Sequence, residues 1–413
     1  MKFKLKPLQK QFLLTLSIAS LCLASFNGFG QIKDSVTLNS LINKKSFTYN
    51  KDVFNGVGWE LLKNEIEKVQ FVMIGEQHGE AEIPVFTEKI ATLFKPKAFV
   101  AEIDPYSAVR LKKLAIDPAG YSAHFKKWPY DLAFYCWDTE MKLAKKLSED
   151  HVDIWGLNEI TFMSAGLFFE ELANVSKIPA NKALAKKIAV EYGNNDRPMY
   201  FDSKKWDNLS FSKLTTGHID TLLTVFKDDN VQAKKMLFDL KASRPLLWAN
   251  YSLRINMMKK NLLNYVAPYI GKDAVSIPKL LFKFGANHVT RTNDITGLFE
   301  VGNLADHLAA ASNKKTLHIL IFGKNGTINS MISPDNSKAI QPYKIENDKD
   351  LSIFTPFYNQ LSDQEWAFFD LRPIRTAILK GTIKGVNTNL EAFIKGYDVL
   401  VLFSPTTGNK FIE

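Results

Sequence analysis

The run Gln70-Phe-Val-Met-Ile-Gly-Glu-Gln-His-Gly79 constrains this chain more than any other stretch. Phe71 to Ile74 are continuously apolar, as in a strand covered on both faces, and the glycines that follow let the chain turn. Strands of that kind belong to parallel sheets flanked by helices, whose ligands bind where loops leave the strand ends. Glu76 and His78 stand at such an end. A lone Glu-x-His is more commonly a pair of solvated loop residues, but the chain carries a second copy, Lys279-Leu-Leu-Phe-Lys-Phe-Gly-Ala-Asn-His288. Both copies read Gly-x-x-His, from Gly75 to His78 and from Gly285 to His288. They are too far apart for local helix geometry to pair them. If the two strands are neighbours, both histidines face one crevice.

The pattern around them alternates strand and helix. Glu82 to Leu93 spaces Ile83, Phe86, Ile90 and Leu93 as an amphipathic helix does. Lys97 to Pro105 is a second apolar run, ended by Glu102, Asp104 and a proline that cannot continue a ladder. Together they predict a β-α-β unit with parallel strands, which brings Glu102 to the same sheet end as Glu76 and His78. A carboxylate there asks for a partner, because burying it unpaired costs several kcal/mol; Arg110 is the structural candidate. His151 to Asn158 reads as a third strand ending in Asn158 and Glu159. Trp128, Tyr130, Tyr135, Trp137 and Trp155 either line a pocket or, more commonly for aromatic residues, build core.

From Thr161 to about Tyr269 the periodicity becomes helical for too long to be a simple crossover, predicting a helical lobe inserted at about 161–270, over the crevice. Within it, Tyr251 to Asn261 sets Arg254, Met257, Met258 and Asn261 at helical spacing. Arg254 there can bind an anionic group or form an ordinary salt bridge. Phe299 to Ala311 reads as a helix, Thr316 to Phe322 as a strand with a structural His318, 330–363 as loops with short strands, and Tyr397 to Ser404 as a closing strand. The stretch 31–68 carries little signal beyond a helix at Val57 to Lys68. The fold class expected is α/β, a central mixed, largely parallel β-sheet flanked by helices, in one unit from 31 to 413.

Residues 1–30 read as a secretory signal peptide. Lys2, Lys4, Lys6 and Lys10 form the basic segment, Phe12 to Ala24 the apolar one, and Asn27 to Gly30 the small, polar end. The apolar run is shorter than the roughly 20 residues of a membrane-spanning helix, so no stable membrane span is expected after cleavage. Leu21 before Cys22 is too large for a lipid-attachment site. The expected location is periplasmic or secreted. The segment takes four lysines from a formal net charge of +10, leaving a mildly basic chain without the clustered Lys/Arg that nucleic-acid binding requires. Cys136 then stands alone, so no intramolecular disulfide forms and stability rests on a core, for which 46% hydrophobic residues suffice.

The set Gly75-Glu-Gln-His-Gly79, Glu82, Glu102, Arg254-x-x-x-Met258-x-x-Asn261, Asn287-His288-Val289 and Tyr397 to Phe403 resembles the erythromycin esterase-like family, within a superfamily that includes Tiki/TraB-type proteins and ChaN-like haem-binding lipoproteins. Two positions depart from the esterase pattern. Thr87 stands where an arginine is usual, and His288 is single where two histidines are usual, which is closer to the paired Gly-x-x-His of Tiki-type metalloproteases. The resemblance implies a site built from Glu76, His78, Glu102 and His288.

Two histidines with two carboxylates can activate water in either of two ways. Without metal, a carboxylate or neutral imidazole takes the proton as water attacks an ester, lactone or amide carbonyl, worth about 10²–10⁴-fold. With a divalent metal, bound water ionises near neutral pH. The sequence does not choose between them. The substrate would be a small molecule or peptide. The competing class is a binding protein with a histidine on haem iron and an apolar pocket around the macrocycle; the carboxylates count against it.

Overall fold

The computed structural model describes residues 36–412 apart from 201, 247–249, 272–275 and 330–341, so the expected signal segment lies outside the described residues. Eleven strands are described: β1 Lys44–Asn50, β2 Val53–Asn55, β3 Phe71–Glu76, β4 Ala98–Ala101, β5 Asp153–Gly156, β6 Leu280–Gly285, β7 Thr316–Gly323, β8 Thr327–Ile328, β9 Tyr343–Lys344, β10 Trp366–Asp370 and β11 Val399–Phe403. Nine form one sheet in the order β2-β1-β10-β11-β7-β3-β6-β4-β5, while β8 and β9 pair separately. From β11 to β5 neighbouring strands are parallel, and β10, β1 and β2 continue the sheet antiparallel at one edge. This is the expected mixed, largely parallel α/β architecture.

The strand of the second histidine motif does neighbour the first. β6 lies between β3 and β4, with Gly75 opposite Phe284 and Glu76 opposite Gly285. The β-α-β unit is therefore parallel but split, its strands separated by one that arrives much later in the chain. β1 and β2 carried no usable signal, and β10 was overlooked. β1 is short of buried apolar residues, only Phe47 being buried, and its sequence looks like polar coil. The apolar run of β10, Trp366 to Phe369, is only four residues long and follows the polar Gln364 and Glu365.

Alternation along the strands divides the core in two. Val72 and Ile74 face one layer, with Trp59, Leu62, Phe86, Leu111 and Met141 from the helices Val57–Ile66, Glu82–Phe94, Pro105–Ala115 and Asp138–Glu149. Phe71 and Met73 face the other, with Met258, Leu262, Val301, Ala305 and Leu390. Trp128, Tyr130, Tyr135, Trp137 and Trp155 are buried, as core aromatics are. Between β5 and β6 the described residues are helical, and a third cluster, from Ile160 to Leu240, gives that stretch a core of its own. Its last helix, Tyr251–Val266, packs instead on the sheet. Among the described residues no helix is long and apolar enough to cross a membrane.

Candidate active site

Because β3, β6, β4 and β5 are parallel neighbours, their carboxyl ends line up, and the residues just beyond them share one crevice. Glu76 closes β3, Glu102 follows β4, Asn158 and Glu159 follow β5, and His288 lies in the 3₁₀ turn Ala286–Val289 after β6. Close approach requires glycine at one of these ends and favours it at another. A Cβ at Gly75 would collide with the Tyr397 hydroxyl, and one at Gly285 would stand 3.0 Å from His78 Nε2 and 3.5 Å from Glu102 Oε2. Gly75 is thus a residue of the strand, not of the turn expected there; Gly79, with φ +99°, makes the turn.

Glu102 is the hub. Its Oε2 accepts from the Gly285 N–H at 2.8 Å and lies 3.4 Å from His78 Nε2. Its Oε1 accepts from Arg254 Nη2 at 2.9 Å and lies 3.4 Å from His288 Nε2. The expected partner Arg110 is engaged elsewhere, donating to Glu171 and to the Ser107 hydroxyl, each at 2.7 Å. It sits on the helix after β4, pointed away from the strand end, whereas Arg254 comes from the helix Tyr251–Val266 and also donates from Nε to Glu159 Oε2 at 3.0 Å and Asn158 Oδ1 at 3.1 Å. All five residues singled out in the sequence, Glu76, His78, Glu102, Arg254 and His288, therefore converge.

Each histidine is held by a further carboxylate. His78 Nδ1 is 2.7 Å from Glu76 Oε1, and its ring stacks on Phe134 with centroids 4.0 Å apart. His288 Nδ1 is 3.1 Å from Glu300 Oε2, whose other oxygen accepts from the Tyr251 hydroxyl at 2.8 Å. Behind Glu76, Lys283 Nζ bridges Glu76 Oε1 at 2.7 Å and Glu140 Oε1 at 2.6 Å. Lys283, Glu140 and Glu300 were missed in the sequence. The signal for Lys283 was there, a lysine inside the apolar run of β6, which alternation places on the same face as Glu76. Glu140 and Glu300 sit at helix starts and look like ordinary first-turn acids.

The network sets the charges. Burial alone would raise the Glu102 pKa, but the charges and hydrogen bonds of His288 and His78 hold it well below the usual carboxylate range. Burial opposes charging of His78 too, yet Glu102 and Glu76 outweigh it and raise its pKa to about 9. For His288, burial is likewise outweighed, by Glu102 and Glu300, also to about 9. Glu140 is pushed up to about 7 by burial against the pull of Lys283. The hydrogen bonds separate the two histidines. His78 has a carboxylate at each nitrogen and suits the imidazolium. His288 has Arg254 Nη1 at 2.9 Å from Nε2, a donor that needs a lone pair to receive it. That contact fits the neutral form of His288, reached as pH rises toward 9, with the proton on Nδ1 toward Glu300.

The donors do not fit a divalent cation. Among the described residues no group of three or more His, Cys, Asp or Glu has the disposition of metal ligands, and Arg254 and Lys283 already supply the carboxylates' cationic partners. The carboxylate partners of both histidines count against a haem iron. Two cavities meet at the cluster. One, of about 240 Å³, is lined by Glu102, Arg254 and residues of the helical lobe. The other, of about 390 Å³, is lined by Glu76, His78 and His288.

No family model matches the sequence, and no curated protein matches it. Solved structures do. A Bacillus cereus protein superposes with a TM-score of 0.54 at 16% identity, over 86% of this chain and 93% of its own. A succinoglycan biosynthesis protein gives 0.52 at 13%, over 91% and 97%. A mutant of the erythromycin esterase EreC in its open conformation gives 0.51 at 15%, over 86% and 95%. At these identities what is shared is the fold, in agreement with the family resemblance of the motifs.

Proposed function

We propose that the chain is an exported hydrolase that activates water without a metal to cleave an ester, lactone or amide. The observation that carries this reading is Glu102 standing between His78 and His288 at 3.4 Å from each, with Arg254 beside it. Two imidazoles form an acid–base pair when one is neutral and the other charged, a state that pKa values of about 9 for both populate near pH 9. Neutral His288, its Nδ1 oriented by Glu300, takes a proton from water at Nε2 as Arg254 leaves that nitrogen for the carbonyl oxygen and the water oxygen bonds to the carbonyl carbon. Arg254 faces the charge that develops on the carbonyl oxygen. As the carbon–oxygen or carbon–nitrogen bond breaks, His78 in its imidazolium form gives its proton to the leaving group; one water is consumed, and the proton taken by His288 returns to His78 through solvent before the next turnover. The fold shared with an esterase is compatible with this chemistry and does not identify a substrate.

Turnover on a panel of esters, lactones and peptides, with a parallel haem titration, tests the reading in wild type, His78→Ala and Glu76→Gln. A hydrolase loses turnover in both variants while keeping its circular dichroism. A haem carrier hydrolyses nothing, binds haem tightly, and loses that binding in His78→Ala far more than in Glu76→Gln; this outcome would overturn the proposal.

A further inference from the structure

The two cavities differ in chemistry, and the cluster lies on the boundary between them. The smaller is lined by Ile160, Phe162, Met163, Trp206 and Phe211 of the helical lobe, and although Glu102, Arg254 and the further acids Asp104, Asp131 and Glu159 also line it, most of its exposed surface is apolar. The larger presents Asn287, Lys349, Asp350 and Asn389 among its lining residues, with Glu76, His78 and His288 at its floor, and is the more polar of the two. A volume of about 240 Å³ falls below the roughly 300–1,000 Å³ of pockets that enclose a whole drug-sized ligand. It is the size for one portion of a substrate.

The placement of the catalytic groups orients that portion. Arg254, the partner for the carbonyl oxygen, faces the apolar cavity, whereas His78, the donor to the leaving group, and His288, the base for water, face the polar one. Around a tetrahedral carbon this puts the acyl substituent in the apolar cavity and both water and leaving group on the polar side. We propose that the substrate is an ester or amide joining a medium-sized apolar acyl group to a polar alcohol or amine, with the acyl group seated beneath the helical lobe. The assignment rests on the hydrolase reading.

The test compares 4-nitrophenyl acetate and 4-nitrophenyl hexanoate on the full-length protein, alongside calorimetric titration with hexanamide, a neutral acyl mimic that is not required to turn over. Thr161→Trp and Met163→Trp each place an indole in the apolar cavity; Thr161 is only half-buried, so that variant folds even if the buried Met163 does not tolerate the change. Wild type should favour the hexanoate in kcat/KM by about tenfold or more, as added methylenes in an apolar pocket do. In the variants this ratio should fall toward one and hexanamide binding should be lost. Hydrolysis with equal rates on both esters, or a ratio that both variants leave unchanged, overturns the inference while sparing the hydrolase reading. If neither ester reacts but hexanamide binds wild type and not Thr161→Trp, the hydrolase reading fails and the apolar cavity stands as a ligand site. Absence of binding as well overturns both.

Discussion

Lys283 Nζ lies 2.7 Å from Glu76 Oε1, joining two buried residues that are 207 apart in the chain. The pairing exists because β6 is inserted beside β3, and it ties the carboxylate that orients His78 to a second buried acid, Glu140.

Lys283→Met should therefore destabilise the protein by about 3–5 kcal/mol, since removing one partner leaves buried carboxylate charge uncompensated. Glu140→Gln should cost far less. Glu140, raised to about 7 by burial against Lys283, already takes up a proton near neutrality. Chemical denaturation of the two variants checks the order; equal losses would show that Lys283 does not hold Glu76.

Losses of activity within the cluster should not add. His78→Ala and Glu76→Gln are each expected to lower kcat by about 10²–10⁴-fold, and the double variant should be little worse than His78→Ala, because a carboxylate that acts only by orienting an imidazole has nothing left to orient. Steady-state kinetics of the three variants on one responsive ester measure this. A double variant slower by the product of the single losses would separate the two residues.

The pH profile of kcat/KM should be a bell centred near pH 9. One histidine must be neutral and the other charged, and both carry pKa values of about 9, which belong to the coupled pair. Glu76→Gln removes a carboxylate that keeps His78 protonated, so the alkaline limb of its residual activity should move to lower pH. A profile flat from pH 6 to 9 would remove the histidines from proton transfer.

Stability should follow the same groups. The folded pKa of each histidine is raised above its ordinary 6.5 to about 9, so the stabilisation is complete below about pH 6.5 and is lost as pH rises through 9. Thermal melting should fall across that window in wild type and fall less in His288→Gln. Parallel curves for the two proteins would contradict the shift.

Export, proposed from the lysine-rich start and the short apolar run of 1–30, predicts cleavage next to Gly30-Gln31. Intact-mass measurement of protein from the cell envelope should give the chain beginning at Gln31. A mass that retains the first 30 residues would remove the export proposal.

The apolar runs at Phe71 to Ile74, Ala98 to Ala101 and Leu280 to Phe284 determined a parallel, doubly covered sheet, because only strands buried on both faces need to be apolar at every position. The polar residues that follow such runs, Glu76, His78, Glu102 and His288, were legible from their place at strand ends, from the repeated Gly-x-x-His and, for Glu102, from the cost of burying an unpaired carboxylate. Arg254 was legible as a cation at the edge of an apolar helix face, but not what it binds. The tertiary structure decided the partners. Hydrophobic periodicity reports how each segment is buried and carries no information on which segment lies beside it. The seating of β6 between β3 and β4, the pairing of Glu102 with Arg254 in place of Arg110, and the backing of the histidines by Lys283, Glu140 and Glu300 all depend on contacts between distant parts of the chain. The strands β1 and β2 at the sheet's edge, and β10 beside them, escaped the sequence for a related reason. They are short, and where β1 and β2 face solvent their order comes from ladder hydrogen bonds to neighbours, which leave no pattern in the side chains.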